Sequence, residues 1–266
     1  MTFDPTQARA TYLNVQHKMR AKSGALLLTL ERRLPRIMTF WFALAMTGCA
    51  VRIVASPLHA APDLSTFLPY ILVVGAPLLS MALALTWFHD GHLLPQPTTR
   101  LARAGTWCPV SRDEAQRHPL YGSSGIMVSL LVGMLLNVPV RALEYLASLP
   151  ALSGNVPQWL SMLRFAMTLD VVLLTSLYTV AFVAALRRVP LFPRLLVTVW
   201  AIDIMMQLGI ARMVAGTQGL PAPVADALHT LLDGNVKKVL ISVCLWLPYL
   251  LMSKRVNVTY RNRVPA

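Results

Sequence analysis

Eight polar residues sit in stretches of chain that are otherwise apolar, and their types and spacing suit the handling of charge. Asn137, Arg141 and Glu144 follow one another at spacings of four and three, which on a helix draws one polar stripe. Arg141 and Glu144 are then within pairing reach of each other. Asp203 has Gln207 one turn further along the same face, and Asp170, Arg164 and Arg212 complete the set. A charge at the centre of a membrane helix costs about 2.5–3.5 kcal/mol on insertion scales, so each must face protein, water or a counter-charge. Two readings follow. In the first, Asp170, Asp203 and Glu144 face Arg141, Arg164 and Arg212 across a polar cavity that opens outward. Such a cavity would bind an anionic or zwitterionic lipid headgroup, or relay protons. In the second, the same residues are buried ion pairs and interfacial arginines that orient helices.

Little else in the chain points to chemistry. There is no Ser-His-Asp constellation, phosphate-binding glycine loop or dinucleotide fingerprint. His89-Asp90-Gly91-His92 could ligate zinc only with a distant third group such as His118, and reads better as a polar helix cap with a glycine stop. Thirteen methionines read as packing residues. No catalytic residue, metal or cofactor is assigned.

The elements that must position these residues are apolar spans. A helix needs about 20 mostly apolar residues to cross roughly 30 Å of hydrocarbon. Six stretches qualify: Ile37 to Ser56, Phe67 to Phe88, Leu120 to Val140, Phe165 to Leu186, Leu195 to Ala215, and a short sixth, Val239 to Ser253, with Pro248 inside. The expected fold is an all-α, polytopic transmembrane helical bundle. It divides into a basic tail (1–36), a two-span hairpin (37–88), a loop (89–119) and a four-span unit (120–266). The tail suits either a short interfacial helix or an extension of the first span interrupted at Pro35. Between spans five and six, Val224 to Asp233 suits an amphipathic turn or two on the outer surface.

Charge sets the expected topology. The chain carries 24 Lys and Arg against 11 acids, a net charge of +13. Of these bases, seven lie in 1–36, four in 89–119, three in 187–194 and four in 254–266, which makes 18 of 24. The alternate stretches 57–66, 142–163 and 216–235 have none apart from span ends. Basic loops stay cytoplasmic, so both termini are expected inside. The excess charge is therefore a topology signal, with anionic phospholipids at the cytoplasmic face as its partner, and not a nucleic-acid footprint. The lipid bilayer is the main partner, and a membrane-protein partner is left open. Cys49, Cys108 and Cys244 are scattered and form no disulfide framework. The first span, preceded by 36 mostly polar residues, is expected to remain as a signal anchor.

The chain closes on Trp246-Leu-Pro-Tyr249, then Ser253-Lys-Arg-Val256 and Thr259-Tyr260. This resembles the closing signature of the bacterial membrane family called domain of unknown function 2569, and the connector Arg187-Arg-Val-Pro-Leu-Phe-Pro-Arg194 resembles that family's turn before its third helix. The resemblance covers roughly Pro119 to Tyr260. Tyr121-Gly-Ser-Ser-Gly125 stands where the family has a Gly-Gly-Trp-Leu segment, and the first two spans are extra. The resemblance implies a fold and a bacterial inner-membrane location, with no activity attached. From the residues alone, Trp246 and Tyr249 suit the membrane interface, and Lys254 and Arg255 are expected to snorkel to phosphates. Three functions remain: a non-enzymatic accessory or binding component of the envelope, a small transporter or lipid-handling protein with an outward polar cavity, and an integral membrane enzyme of envelope lipids.

Overall fold

A computed structural model describes residues 5–57, 61, 63–98, 105–154, 156–217 and 219–266, with side chains of the first helix described from Lys22 on. Arg100 and Arg103, counted above in the second basic loop, lie outside the described residues, as do the side chains of Arg9, Lys18 and Arg20. The chain is helical almost throughout: α1 (Pro5–Val54), α2 (Leu64–Trp87), a short 3-10 turn (Gly91–Leu93), β1 (Trp107–Pro109), α3 (Arg112–Arg117), α4 (Ile126–Ser148), α5 (Gln158–Leu186), α6 (Phe192–Gly216), α7 (Ala222–Met252), α8 (Lys254–Arg261) and β2 (Arg263–Pro265). Six of these helices are long and apolar enough to cross a membrane. The all-α bundle read from hydropathy is therefore the fold observed.

Three boundaries differ from the hydropathy reading, each for a local reason. The third span starts at Ile126 and not at Leu120, because Gly122 and Gly125 sit at φ 102° and 75°, outside helical geometry. The sixth span is not short. Asp233, Lys237 and Lys238 break its apolar window, but Asp233 and Lys237 pair along the helix at 2.6 Å and Lys238 reaches another helix, so α7 runs unbroken. The amphipathic segment Val224 to Asp233 is accordingly the beginning of α7 and not a separate surface turn. At the other end of the chain, α1 continues through Pro35, which lies on an exposed side of the helix. Its length is about 75 Å, more than twice the hydrocarbon thickness.

α5 is the centre of the bundle, packing on α2, α4 and α6, while α1 lies against α2 and α4, and α7 against α6. Lipid tails are as apolar as leucine, so such contacts rest on close packing more than on the hydrophobic effect. Ala181, Ala184 and Ala185 on α5 are fully buried and let neighbouring backbones approach, with Phe182 filling the space beside them. α2 opens on a capping box in which Asp63 accepts from Thr66 N at 3.0 Å. Hydrogen bonds from Ser65 and Thr66 hold the Asp63 carboxyl below its ordinary range.

The bundle has two ends. Ser23 on α1 meets Gly125, and α8 docks on residues 122–124 and on the α5–α6 turn, so the tail-side start of α1 and the C-terminal residues share one end with the basic connectors. At this basic end the C-terminal signature is a latch. Ser253 caps α8, Thr259 Oγ1 accepts from Gly122 N at 3.0 Å, and Arg255 Nη1 donates to Gly122 O and Ser124 Oγ. Arg255 is thus engaged inside the protein instead of snorkelling, while Lys254 is exposed. Tyr260 is buried and donates to Ala185 O at 2.8 Å, with Ser123 Oγ 2.9 Å away. β1 pairs antiparallel with β2, tying the 105–111 segment to the C-terminus. Tyr260→Phe deletes the hydroxyl and leaves Ala185 O with Ser123 alone, so it should cost about 1–2 kcal/mol. Unfolding of the detergent-purified variant should shift accordingly, whereas an unchanged midpoint would make the latch decorative.

Candidate functional site

The apolar interior is divided in two, and the division is where the polar residues lie. One cluster, with Met134, Leu174, Leu196 and Trp200, fills the basic end. The other, with Ala142, Val171, Met167 and Ile210, fills the opposite end. Between them α4 brings in Arg141, α5 brings Asp170 and Tyr178, and α6 brings Asp203 and Gln207. All five side chains are buried in the bundle.

Arg141 is the hub. Its Nη1 lies 3.2 Å from Asp170 Oδ2, its Nη2 binds both carboxylate oxygens of Asp203, and its Nε donates to Asn137 Oδ1 at 3.1 Å. The side chains of Arg141, Asp170 and Asp203 are 8%, 11% and 0% exposed, so none of these charges relies on water. Tyr178 Oη donates to Asp203 Oδ2 at 2.9 Å, and its ring lies 5.9 Å from the guanidinium carbon. From Asp170 the chain of contacts runs on. Gln207 Nε2 donates to Asp170 Oδ1 at 2.8 Å, Asn235 Nδ2 donates to Gln207 Oε1 at 3.3 Å, and Lys238 Nζ donates to Asn235 Oδ1 at 3.4 Å. Lys238 also pairs with Glu144.

This chain of contacts ends in a cleft. α4 packs on α5, α5 on α6 and α6 on α7, whereas α7 meets α4 only sparsely. The gap is spanned by the Glu144–Lys238 pair, with Lys238 58% exposed and Glu144 28% exposed. Two small recesses open there. One of about 40 Å³ is lined by Asn137, Arg141, Tyr178, Asn235 and Lys238. The other, of about 20 Å³, is lined by Arg141, Glu144, Asp170 and Asn235. Each holds about one or two waters at most. A larger recess of about 170 Å³ between α1, α2 and α4 is apolar apart from Thr179 and lies outside the contact chain.

Six of the eight residues singled out by type and spacing thus come together: Asn137, Arg141, Glu144, Asp170, Asp203 and Gln207. Arg164 does not join them. It turns to the α4–α5 connection, where Nη1 meets Leu152 O at 3.5 Å. Arg212 is exposed at the end of α6 with no ion-pair partner among the described residues. The local pair expected between Arg141 and Glu144 does not form, because each has a better-placed partner on another helix. Tyr178, Asn235 and Lys238 were not singled out by spacing. Tyr178 lies eight residues from Asp170, two turns on along one face, which is a usable signal. Asn235 was hidden because the sequence puts it outside the apolar window. His89 and Asp90 make an exposed pair at 3.1 Å, and among the described residues no three His, Cys, Asp or Glu side chains gather as a metal group.

Chemically, two carboxylates share one guanidinium, and the Glu144–Lys238 pair beside them is neutral overall. With every acid ionised, the site would carry one negative charge more than its cations meet. The fold and this site define a multi-pass membrane protein, with six candidate spans among the described residues and a charged, hydrogen-bonded layer in its middle. No protein-family model, curated protein or solved structure matches the chain.

Proposed function

We propose that the protein is a small proton-coupled membrane carrier whose proton-binding group is the Asp170–Asp203 pair. The observation that carries this reading is Arg141 held between two buried carboxylates, which leaves one charge for a proton to neutralise. The recess of about 20 Å³ lined by Arg141, Glu144, Asp170 and Asn235 has room for a water that carries the proton between Asp170 and the cleft between α4 and α7, while Gln207 and Asn235 hold the acid in place. The Glu144–Lys238 pair spans that cleft and acts as its gate. This develops the transporter reading of the sequence. An accessory or purely structural role would need only balanced ion pairs, and the excess acid goes unused in it.

The test is direct. Liposomes containing the protein and an internal pH dye are given a potassium diffusion potential, negative inside. Wild-type protein should speed acidification of the interior relative to Asp203→Asn. Equal rates would remove proton movement from the reading.

The proposed setting is the bacterial inner membrane, with the basic end in the cytoplasm facing anionic phospholipids. It rests on the distribution of Lys and Arg and on the resemblance to domain of unknown function 2569 over residues 119–260. Reporter fusions at Pro97 and at the C-terminus should read as internal, and fusions at Asp63 and Gly219 as external. An external C-terminus would invert the whole assignment.

A further inference from the structure

Three arginines at the end opposite the basic loops, Arg52, Arg164 and Arg212, make no ion pair among the described residues. Of the acids in that half, Glu144 meets Lys238, Asp170 and Asp203 meet Arg141, and Asp233 meets Lys237. Asp63 caps α2, and Asp226 makes no ion pair among the described residues. Arg52 on α1 and Arg164 on α5 therefore have no carboxylate partner among the described residues. Yet neither extends outward as Arg212 does. Both are partly buried, and both turn to the same segment, the α4–α5 connection. Arg52 Nε donates to Leu149 O at 2.8 Å, and Arg164 Nη1 reaches Leu152 O at 3.5 Å. Ser56, one turn after Arg52, accepts from Ala151 N at 2.8 Å and fixes α1 against the segment. Leu149 is buried, and Leu152 is half-buried between buried Ala151 and Ser153, so the carbonyls that hold the arginines belong to a packed segment.

A carbonyl orients a guanidinium without neutralising it. Among the described residues both arginines are thus positioned with their charge unmet and with most of their donors unspent. A guanidinium presents its donors as a planar fork that matches a phosphate, and a lysine does not. We infer that Arg52 and Arg164 form an oxyanion site at this end of the bundle, taking a phosphate group. A phospholipid headgroup and free phosphate share that chemistry. The inference does not depend on the proton reading, because neither arginine touches the Arg141 network.

Detergent-purified full-length protein tests it with two probes. Inorganic phosphate is titrated calorimetrically, and tightly held phospholipid is counted by native mass spectrometry after delipidation. Binding of one probe should weaken about tenfold or more in the double variant Arg52→Gln/Arg164→Gln, and should not change in Arg212→Gln. Loss confined to phosphate identifies a soluble oxyanion, and loss confined to phospholipid identifies a headgroup. If the Gln pair does not fold, the charge-conserving Arg52→Lys/Arg164→Lys protein is read instead, and its affinity should fall a few-fold for want of the fork. Three results would overturn the inference: no binding of either probe, binding that the folded Gln pair leaves intact, or undiminished binding in the Lys pair where the Gln pair is unfolded.

Discussion

Arg141→Ala should be the most damaging single change in the protein, costing about 3–5 kcal/mol of stability. The reason is the pair of carboxylates it leaves behind. Asp170 and Asp203 lie between two apolar clusters and keep only Gln207 and Tyr178 as donors. Neither donor carries a charge. Arg141→Lys should rescue only in part, since an ammonium cannot meet Asp170, Asp203 and Asn137 at once with the geometry of a guanidinium. A sharper expectation concerns the triple variant Arg141→Met, Asp170→Asn, Asp203→Asn. Removing all three charges removes their burial penalty too, so stability should return to near the wild-type value or exceed it. Unfolding in mixed micelles, followed by tryptophan fluorescence, checks both. A mild Arg141→Ala phenotype would mean that water reaches the carboxylates freely.

The second large effect is functional. Asp203→Asn should fold normally while acidification in the liposome assay falls to the rate of protein-free vesicles. Asparagine fills the same space, its carbonyl still accepts from Arg141, and its amide can donate to the Tyr178 oxygen in a reversed bond. The stability cost should be about 1 kcal/mol. What is lost is the second negative charge, and with it the reason for a proton to bind. Arg141 then has Asp170 as its single counter-charge, and the site is balanced. If Asp203→Asn retained full flux, the acid would serve helix packing alone.

Much of this site can be read from residue types and spacing, and the rest fails for a definable reason. Hydropathy and loop charge locate a residue in depth, and a spacing of four or seven locates it on a face. Neither gives the rotation of one helix against another. Asp203 and Gln207 could be joined because they share a helix. Spacing pairs Arg141 with Glu144, and depth places Arg141, Arg164 and Arg212 alike opposite Asp170 and Asp203; only the rotation of α4 against α5 and α6 selects Arg141 for the two aspartates. Arg164 and Arg212 have the depth and charge of site residues but face elsewhere. Lys238 and Asn235 were hidden by a different effect. Charges within α7 lowered its hydropathy, and the helix was cut short just where these two residues reach the cleft. The C-terminal signature was legible as a motif but not as a latch, because its partners Gly122, Ser123 and Ala185 lie far away in sequence.

A proton carrier built on this site requires Asp170 and Asp203 together to hold one exchangeable proton beside Arg141. Infrared spectroscopy of the purified protein in lipid reports this without knowledge of the transported substrate. A neutral carboxylic acid has a C=O stretch well separated from the bands of a carboxylate and of the peptide backbone. One such band should appear, shift on deuteration, disappear as the pH is raised, and be missing from both Asp170→Asn and Asp203→Asn. A spectrum with no carboxylic acid band at any pH at which the protein is folded, or one whose band survives in both variants, would contradict it.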